Sequence, residues 1–334
     1  MNTIPRRRAV AALGAFTSLG VTVQAGEAGA QQQAWPDQPI RLIVPFPPGG
    51  PADTIARLIA PGIGEHLGGR SVVVESRSGA GGIVGIEAVA RSRPDGHTIG
   101  LASSGVMAIL PGLQANMPFN PERDLAKIGL VLSVPQILAV SPSLPVRSVS
   151  ELVALARQRP GEISYGSSGI GNTLHLAAEM FRVRAGGIDI VHVPYRGAAQ
   201  AIPDLLSGRL QMMFADVPIL LPHVRSGALR ALGVTAQERL ELLPELPTMI
   251  EAGIPGMISA SSYGLVAPAG VPAERIAALN AALNASLAVP ETRRALIEQG
   301  GLLRPGTPAE AAAFFQGEME TWREIARIAN IRLE

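Results

Sequence analysis

The 334-residue chain contains no cysteine, which excludes disulfide bridges, thiol catalysis, cysteine-ligated zinc and a lipid-modified N-terminal cysteine. Aromatic residues make up only 4% of the chain, whereas 37 glycines and 28 prolines predict many short turns and helix starts rather than a membrane bundle or a coiled coil. The formal net charge is +1. Because a nucleic-acid binder needs a basic face, this balance predicts no nucleic-acid partner.

Long apolar runs are also scarce, and the one that stands out lies near the N-terminus. Residues 6–8 are three arginines, residues 9–23 are mostly small and apolar, and residues 28–30 offer a small-x-small cleavage site. This order is typical of a secretory signal peptide. The apolar run is shorter than the ~20 residues that span a bilayer, although an N-terminal membrane anchor is the alternative. We therefore predict a cleavable signal peptide over residues 1–30, a general or twin-arginine export route, and a periplasmic mature protein.

After residue 30, short apolar segments alternate with helical patterns. The predicted strands are 40–46, 72–75, 98–102, 137–141, 164–166, 190–193, 212–215, 229–234 and 263–267, and the predicted helices lie near 55–59 and 84–90 and at 148–158, 174–184, 198–207, 273–287, 291–299 and 308–328. Asp53 or Thr54 is a candidate cap of the first of these helices, and Ser148 is the cap of the helix at 148–158. The alternation of strands and helices is typical of βαβ units and predicts an α/β protein with open parallel sheets.

The length predicts about two domains, at ~150 residues for each. The strand at 263–267 looks like a return to the first domain, and the segments near 134–141 and 229–235 are candidate crossovers. We therefore predict a discontinuous first domain, 31–130 plus 240–334, and a second domain, 131–239, inserted into it.

Four predicted strands end in candidate binding loops, of which 46–51, 103–105 and 167–173 are rich in glycine, serine, proline or threonine, and the fourth is Ala215-Asp216. In open α/β sheets, ligands lie at the carboxyl ends of strands, and the free N–H groups of a helix start accept anions. These loops offer hydroxyls and amides rather than an arginine clamp, which suits a small carboxylate. The alternative is that they are ordinary strand–helix turns.

Catalytic and cofactor motifs fail at defined positions. The dinucleotide pattern at 79–84 ends in Val84, the nucleophile elbow at 166–170 ends in Ile170, and the only lysine, Lys127, is in no phosphate loop. The five histidines lack metal-site spacing, and no acid–base pair of carboxylates can be identified. The sequence therefore predicts no catalytic residue, metal or cofactor. Ser167 and Ser168 are predicted to be hydrogen-bond donors.

Two side chains near these loops need separate interpretation. Asp216 either caps the turn at Pro218 or faces a hydrogen-bond donor on a ligand or a water. His192 lies on a predicted strand beside Pro194, where a structural hydrogen bond is the default expectation for a lone histidine.

Several motifs, in order along the mature chain, resemble the Bug (TctC) family of extracytoplasmic solute receptors associated with tripartite tricarboxylate transporters. They are residues 35–53 (around the sequence IVPFPPGGPAD), 79–82, 94–98, 165–167, 192–197, 243–248 and 267–270. The resemblance implies two doubly wound α/β domains of the periplasmic-binding type (type II-like) around a cleft. It also implies a non-enzymatic protein that binds a small carboxylate and delivers it to membrane permease subunits.

Carried onto this chain, the resemblance implies one set of ligand-binding residues. They are Phe46, Pro47, Pro48, Gly49, Gly50, Ser103, Ser104, Ser167, Ser168, Gly171, Asn172, Thr173, Tyr195, Asp216 and Tyr263. Where many relatives have Asp-Asn after the phenylalanine of the second-domain strand, this chain has Ala215-Asp216.

Two other functions fit parts of the same pattern. A sensor subunit would use the same ligand-binding body but present its closed state to a signalling partner. A secreted hydrolase is disfavoured, because the elbow, the metal set and the acid–base pair are missing. Nothing in the sequence indicates an oligomer interface, so the protein is expected to be a monomer.

Overall fold

The computed structural model describes residues 35–114 and 116–331. The predicted signal peptide lies outside these residues. Among the helices of the described part of the chain, none combines the length and the apolar character that crossing a membrane requires.

Strands and helices alternate through most of the described chain. The strands are β1 (Ile40–Val44), β2 (Val72–Ser76), β3 (Thr98–Ser103), β4 (Leu125–Val140), β5 (Ile163–Ser167), β6 (Ile190–Pro194), β7 (Met212–Asp216), β8 (Arg230–Val234), β9 (Ala260–Pro268) and β10 (Leu302–Leu303). The helices are α1 (Pro51–His66), α2 (Ile83–Ala90), α3 (Leu110–Leu113), α4 (Val149–Gln158), α5 (Thr173–Arg184), α6 (Ala198–Ser207), α7 (Val217–Arg225), α8 (Ala273–Ala288), α9 (Pro290–Glu298) and α10 (Pro308–Ala329).

The sheet contains two parallel groups joined by antiparallel strands. The strand order is β2-β1-β3-β9-β4-β7-β5-β6, and β8 and β10 also pair with β4. Pairing is parallel within β2-β1-β3 and within β7-β5-β6, whereas β9 and β4 run antiparallel to their neighbours. The predicted parallel pairing is therefore found within the two groups but not at the centre, where β9 and β4 connect the groups and run antiparallel to their neighbours.

Strand β4 belongs to both groups. Its first part pairs with β9 as far as Pro135, and from Gln136 onward it pairs with β7. The sequence predicted a strand only at 137–141. The earlier part was missed because it carries Lys127, Gly129 and Pro135 and is buried almost throughout, so it shows no alternation of polar and apolar residues.

Helices cover both faces of each group, as the predicted fold class requires. In the first group, Ile55 of α1 and Leu283 of α8 share one apolar cluster, and Ile86 of α2 and Phe315 of α10 share another. In the second group, Phe181 of α5 and Leu205 of α6 belong to separate clusters. Burial of these apolar surfaces is the main term that stabilises the layers.

Two helix starts differ from the sequence-based expectation. Asp53 and Thr54 were predicted as candidate N-caps, but the N-cap of α1 is Gly50, so both lie within the first turn. The residues after Asp216 were expected to form a turn, but they form α7, with Pro218 in its first turn. Proline fits there because the first N–H groups of a helix have no intrahelical acceptor.

Candidate ligand-binding site

Three helices begin directly after parallel strands of the sheet. Helix α1 follows β1 with Gly50 as its N-cap, α5 follows β5 with Asn172, and α7 follows β7 with Asp216. Each helix start carries partial positive charge from N–H groups that have no intrahelical acceptor. The three loops that the sequence singled out at 46–51, 167–173 and 215–216 therefore all end at helix N-termini.

The turn before α1 is held by a carboxylate. Asp53 Oδ2 accepts hydrogen bonds from the Gly49 backbone N–H at 3.0 Å and from Arg57 Nε at 2.9 Å. These two donors, Arg57 first, lower the pKa of the Asp53 carboxyl. Gly49 has a φ of +79°, which favours glycine, and it lies exposed with Pro47 and Pro48. Half-buried Phe46 precedes this exposed turn.

The loop between β5 and α5 is fixed by its own side chains. Ser167 is fully buried, and its Oγ lies 2.7 Å from His192 Nε2 and accepts from the Gly169 N–H at 3.1 Å. Asn172 caps α5 by accepting from the His175 N–H at 3.0 Å and donates to the Gly169 carbonyl at 2.7 Å. Two of the predicted ligand donors are thus engaged in shaping the loop, and His192 makes the structural hydrogen bond expected for it.

Two other hydroxyls of this loop are free. Ser168 and Thr173 are partly exposed, and neither hydroxyl meets a hydrogen-bonding partner within the described residues. Thr173 is the first residue of α5, where backbone N–H groups also lack intrahelical acceptors. These groups can donate to an anion without breaking the bonds that hold the loop.

A stack of three rings lies beneath the loop. His192 lies between Tyr165 and His175, with ring centroids 4.9 Å and 3.9 Å away, respectively. His175 Nδ1 accepts a hydrogen bond from the Gly171 N–H at 3.0 Å. Burial, and secondarily the neighbouring His192, lowers the pKa of His175 to about 3. The imidazole is therefore neutral at ordinary pH and can serve as this acceptor.

The role of His175 was missed by sequence reasoning. Its own position, three residues after the helix cap, gives no signal of a contact with Gly171. Tyr165 and His192 are 27 residues apart along the chain and meet only because β5 and β6 pair in parallel register. Only a prediction that β5 pairs with β6 in this register could have indicated that these rings meet.

Tyr195 lies beside the loop, but its hydroxyl is already hydrogen-bonded within the protein. The hydroxyl donates to Asp204 Oδ2 at 2.8 Å, and the Tyr195 backbone N–H donates to the Ser167 carbonyl at 3.0 Å. Burial, followed by the neighbouring Asp204, raises the pKa of Tyr195 to about 12. The phenol remains neutral, and its ring rather than its hydroxyl is available to shape a pocket.

Asp216 lies where β4, β7 and β9 meet. Its Oδ1 accepts from Ser261 Oγ at 2.8 Å and lies 3.3 Å from the Gln136 side-chain amide. No arginine, lysine or histidine of the described residues forms an ion pair with it. Burial raises the pKa of Asp216 to about 6, against the opposing effect of its hydrogen bonds from Ser261 and Gln136.

A small cavity of about 20 Å³ opens beside Asp216. It brings Asp216 together with Tyr263 and with Pro51 at the start of α1, and its lining residues are Pro51, Ile55, Val134, Asp216, Pro218, Ile219, Tyr263 and Gln299. Ser103 is the partner of Tyr263 in the pairing of β3 with β9. Asp216 is only partly buried, because this cavity adjoins its side chain. The cavity has room for one water-sized group, and protein atoms surround the rest of the carboxyl. The partial exposure therefore agrees with the raised pKa.

Ser104 has a different environment from Ser103. It is fully buried near Glu318 of α10, and its Oγ has no hydrogen-bond partner among the described residues. Burial raises the pKa of the Glu318 carboxyl, while the hydrogen bond from Trp322 opposes that rise.

Most of the predicted residues thus fall into two groups that the contacts of the structure define, and Ser104 belongs to neither. One group consists of the loop 167–173 with Tyr195, and the other of Asp216, Tyr263 and Ser103 near the start of α1. Within the described chain, no cluster of histidine, aspartate or glutamate side chains could hold a metal ion. The chemistry on offer is therefore hydrogen bonding to a small polar ligand, from neutral donors at helix starts and one buried carboxyl.

A sequence model of the tripartite tricarboxylate transporter family receptors (TctC) matches residues 55–331. The chain belongs to the TctC family. Among its relatives, Protein BugT of Bordetella pertussis is 35% identical over 301 residues, which cover 90% of this chain and 92% of BugT. The resemblance noted in the sequence is thereby confirmed.

Solved structures agree with this TctC assignment. A protein of R. palustris with adipate is 36% identical, with a TM-score of 0.78 over 89% of this chain and 99% of that one. MatC from Rhodopseudomonas palustris, with bound malate, is 29% identical, with a TM-score of 0.73 over 87% of this chain and 99% of MatC. TctC proteins are periplasmic solute receptors and not enzymes, so the predicted fold class and the non-enzymatic assignment are confirmed.

Proposed function

We propose that this TctC receptor captures a small carboxylate in the periplasm and delivers it to the membrane permease subunits of a tripartite tricarboxylate-type transporter. The observation that carries the proposal is the loop 167–173. It presents the free hydroxyls of Ser168 and Thr173 at the start of α5, on a framework that other side chains already hold. Amide and hydroxyl donors at a helix start favour a negative ligand. The relatives bound to adipate and malate support a carboxylate.

The remaining predicted residues take complementary roles in this proposal. The exposed turn at 47–50 supplies backbone donors at the start of α1, with Phe46 at its base. Tyr263 and Asp216 line the small cavity near the start of α1, and Ser103 is paired with Tyr263 across β3 and β9. Tyr195 contributes its ring, Gly171 and Asn172 hold the loop, and Ser104 supports the end of β3.

We further propose that ligand binding closes two domains, 31–130 plus 240–334 and 131–239, about a hinge. Strand β4 supports this division, since it changes partners from β9 to β7 between Pro135 and Gln136. Small-angle scattering of residues 31–334 is expected to show a smaller radius of gyration with saturating ligand, as in other hinge-closing receptors. An unchanged radius would contradict the closure.

Replacing Ser168 and Thr173 together with alanine tests the binding site. The variant is expected to lose about 1–3 kcal/mol of ligand-binding free energy, because a bound carboxylate would lose two donors, while its melting temperature stays near that of the parent. Isothermal titration calorimetry measures the loss. Ser150→Ala, which removes an exposed hydroxyl of α4, is the matched control and should bind normally. Equal affinities for the parent and the double variant would contradict the site.

A further inference from the structure

The side chain of Asp216 leaves one oxygen unused in the proposed site. Its Oδ1 contacts Ser261 and Gln136, whereas Oδ2 accepts no hydrogen bond from the residues that the structure describes. None of the residues that line the adjoining cavity is basic. A carboxyl in this position repels a second negative charge and attracts a hydrogen-bond donor.

At neutral pH the ionised Asp216 carboxylate presents Oδ2 as an acceptor in either orientation of the Gln136 amide. With its nitrogen toward Asp216, Oδ1 accepts from both Gln136 and Ser261. With oxygen and nitrogen exchanged, the amide nitrogen donates to Ser259 Oγ at 2.7 Å and the amide oxygen accepts from the Ser261 N–H at 3.2 Å. The Gln136 amide oxygen then faces Asp216 Oδ1, so a proton on the Asp216 carboxyl would lie between these two oxygens. In both cases the cavity side of the carboxyl presents a lone pair.

The size of the cavity restricts what can approach this oxygen. A volume of about 20 Å³ is close to the space that one water molecule needs. It admits a hydroxyl or an ammonium group and is too small for a second carboxylate. Tyr263 also lines the cavity, and burial followed by the nearby Asp216 charge raises the pKa of its phenol, so the hydroxyl stays neutral and able to donate.

We propose that Asp216 makes this receptor selective for small carboxylic acids that carry a hydrogen-bond donor, a hydroxyl or an ammonium group, at the end away from the carboxylate held by the loop 167–173. This inference rests on the proposed function and specifies its ligand class. A hydroxyl can donate to Asp216 and accept from Tyr263, whereas an ammonium group pairs with the Asp216 charge. Plain dicarboxylates and acids with an apolar end are the ligands that the cavity rejects.

Matched sets of acids test this selectivity by calorimetry on residues 31–334. Each set keeps one carboxylate and one carbon skeleton and changes only the far end: hexanoate, 6-hydroxyhexanoate, 6-aminohexanoate and adipate form one set, and the four- and five-carbon analogues form others. An aromatic set consists of 4-methylbenzoate, 4-hydroxymethylbenzoate, 4-aminomethylbenzoate and terephthalate. In the best-bound set, the hydroxyl or the ammonium member is expected to bind at least tenfold more tightly than the methyl and dicarboxylate members.

Variants assign the selectivity to Asp216. Asp216→Asn keeps a carbonyl acceptor but removes the charge, so the preference for ammonium over the second carboxylate should fall at least tenfold while the hydroxyl member keeps most of its affinity. Asp189→Asn makes the same change at an exposed position before β6 and should leave every ratio unchanged. A melting curve for each variant shows that it is folded, and the comparison within the parent protein does not depend on any variant.

The outcomes separate the two proposals. Equal affinity for the methyl, dicarboxylate and donor-bearing members would overturn the selectivity while leaving a carboxylate receptor. Unchanged ratios in a folded Asp216→Asn variant would overturn the role of this residue. Binding of no acid in any set would contradict the carboxylate receptor itself, and with it the selectivity.

Discussion

At the scale of single residues, the site depends on side chains that hold the binding loops in place without contacting the ligand themselves. Asp53 fixes the turn before α1, Asn172 caps α5, and His175 holds the Gly171 N–H through a neutral ring nitrogen. Each forms a hydrogen bond with a backbone group of a loop that is proposed to bind the ligand. Because such bonds fix the direction of the remaining free donors, they reduce the conformational entropy that binding would otherwise cost.

Two variants of His175 test this positioning role. His175→Asn places an amide oxygen near the position of Nδ1 and should keep ligand affinity near that of the parent. His175→Leu leaves the Gly171 N–H without an acceptor and should weaken binding about tenfold or more. Calorimetry with the tightest-binding acid of the matched sets measures both. A His175→Leu variant that is folded and binds like the parent would contradict the role of the ring nitrogen.

The same residue predicts a pH dependence of stability. Burial holds the pKa of His175 at about 3 in the folded protein, against 6.5 for an unperturbed histidine, so the unfolded chain takes up a proton that the folded protein does not. This contribution to stability is complete above pH 6.5 and decreases as the pH falls toward 3, by about 2 kcal/mol at pH 5. Urea unfolding at pH 7.5 and pH 5 should show a smaller loss for His175→Asn than for the parent. Equal losses would mean that another group controls the acid sensitivity.

At the scale of elements, close packing of α10 against β9 depends on a missing side chain. A Cβ atom on Gly264 would lie 3.0 Å from the Phe315 ring and 3.1 Å from the Gly129 carbonyl oxygen. Neither neighbour can move freely, because Phe315 is buried and Gly129 lies within β4. The close contact of Gly264 with Phe315 thus fixes β9 at the residue next to Tyr263.

Two glycine-to-alanine variants should change stability in opposite directions. Gly264→Ala is expected to destabilise the fold by about 1–3 kcal/mol through overpacking. Gly317→Ala, in α10, has open space around the added methyl group and should stabilise the fold by about 0.5–1 kcal/mol through helix propensity. Denaturant unfolding measures both values. A Gly264→Ala variant as stable as the parent would show that the helix can shift without cost.

Most elements could be predicted from the sequence because local signals and tertiary structure agree. Helix α6 was predicted with its observed bounds, and α4 begins after Ser148, the cap that the sequence indicated. The failures came where partners lie far apart in the chain. The first part of β4 carries no alternation, and the first turn of helix α7 contains Pro218, which also fits a turn.

The site was predictable in its loops but not in its hydrogen bonds. Strand ends rich in glycine, proline or serine identified the loops before α1 and α5, and the acidic Asp216 at a predicted strand end identified the position before α7. Which hydroxyls are free could not be predicted, because Ser167 and Ser168 are adjacent and similar, and only the pairing of β5 with β6 brings His192 to Ser167.

At the scale of the whole molecule, the two parallel groups of strands share β4, and the proposed ligand contacts lie on both. Pro51 and Tyr263 come from the first group and Asp216 from the second, and all three line one cavity. A ligand that contacts both groups would bind a closed arrangement better than an open one. This difference in affinity is what a hinge-closing receptor requires.

A thermal-shift screen of residues 31–334 against small carboxylates tests the central claim most directly. The panel combines the matched acids with tricarboxylates and amino acids. An acid present at 100 times its dissociation constant should stabilise the folded state by about 2.7 kcal/mol, which is a visible shift in melting temperature. We expect at least one acid with a hydroxyl or an ammonium group to give that shift. A flat screen, together with mass spectrometry that finds no acid released from the denatured protein, would contradict the carboxylate receptor.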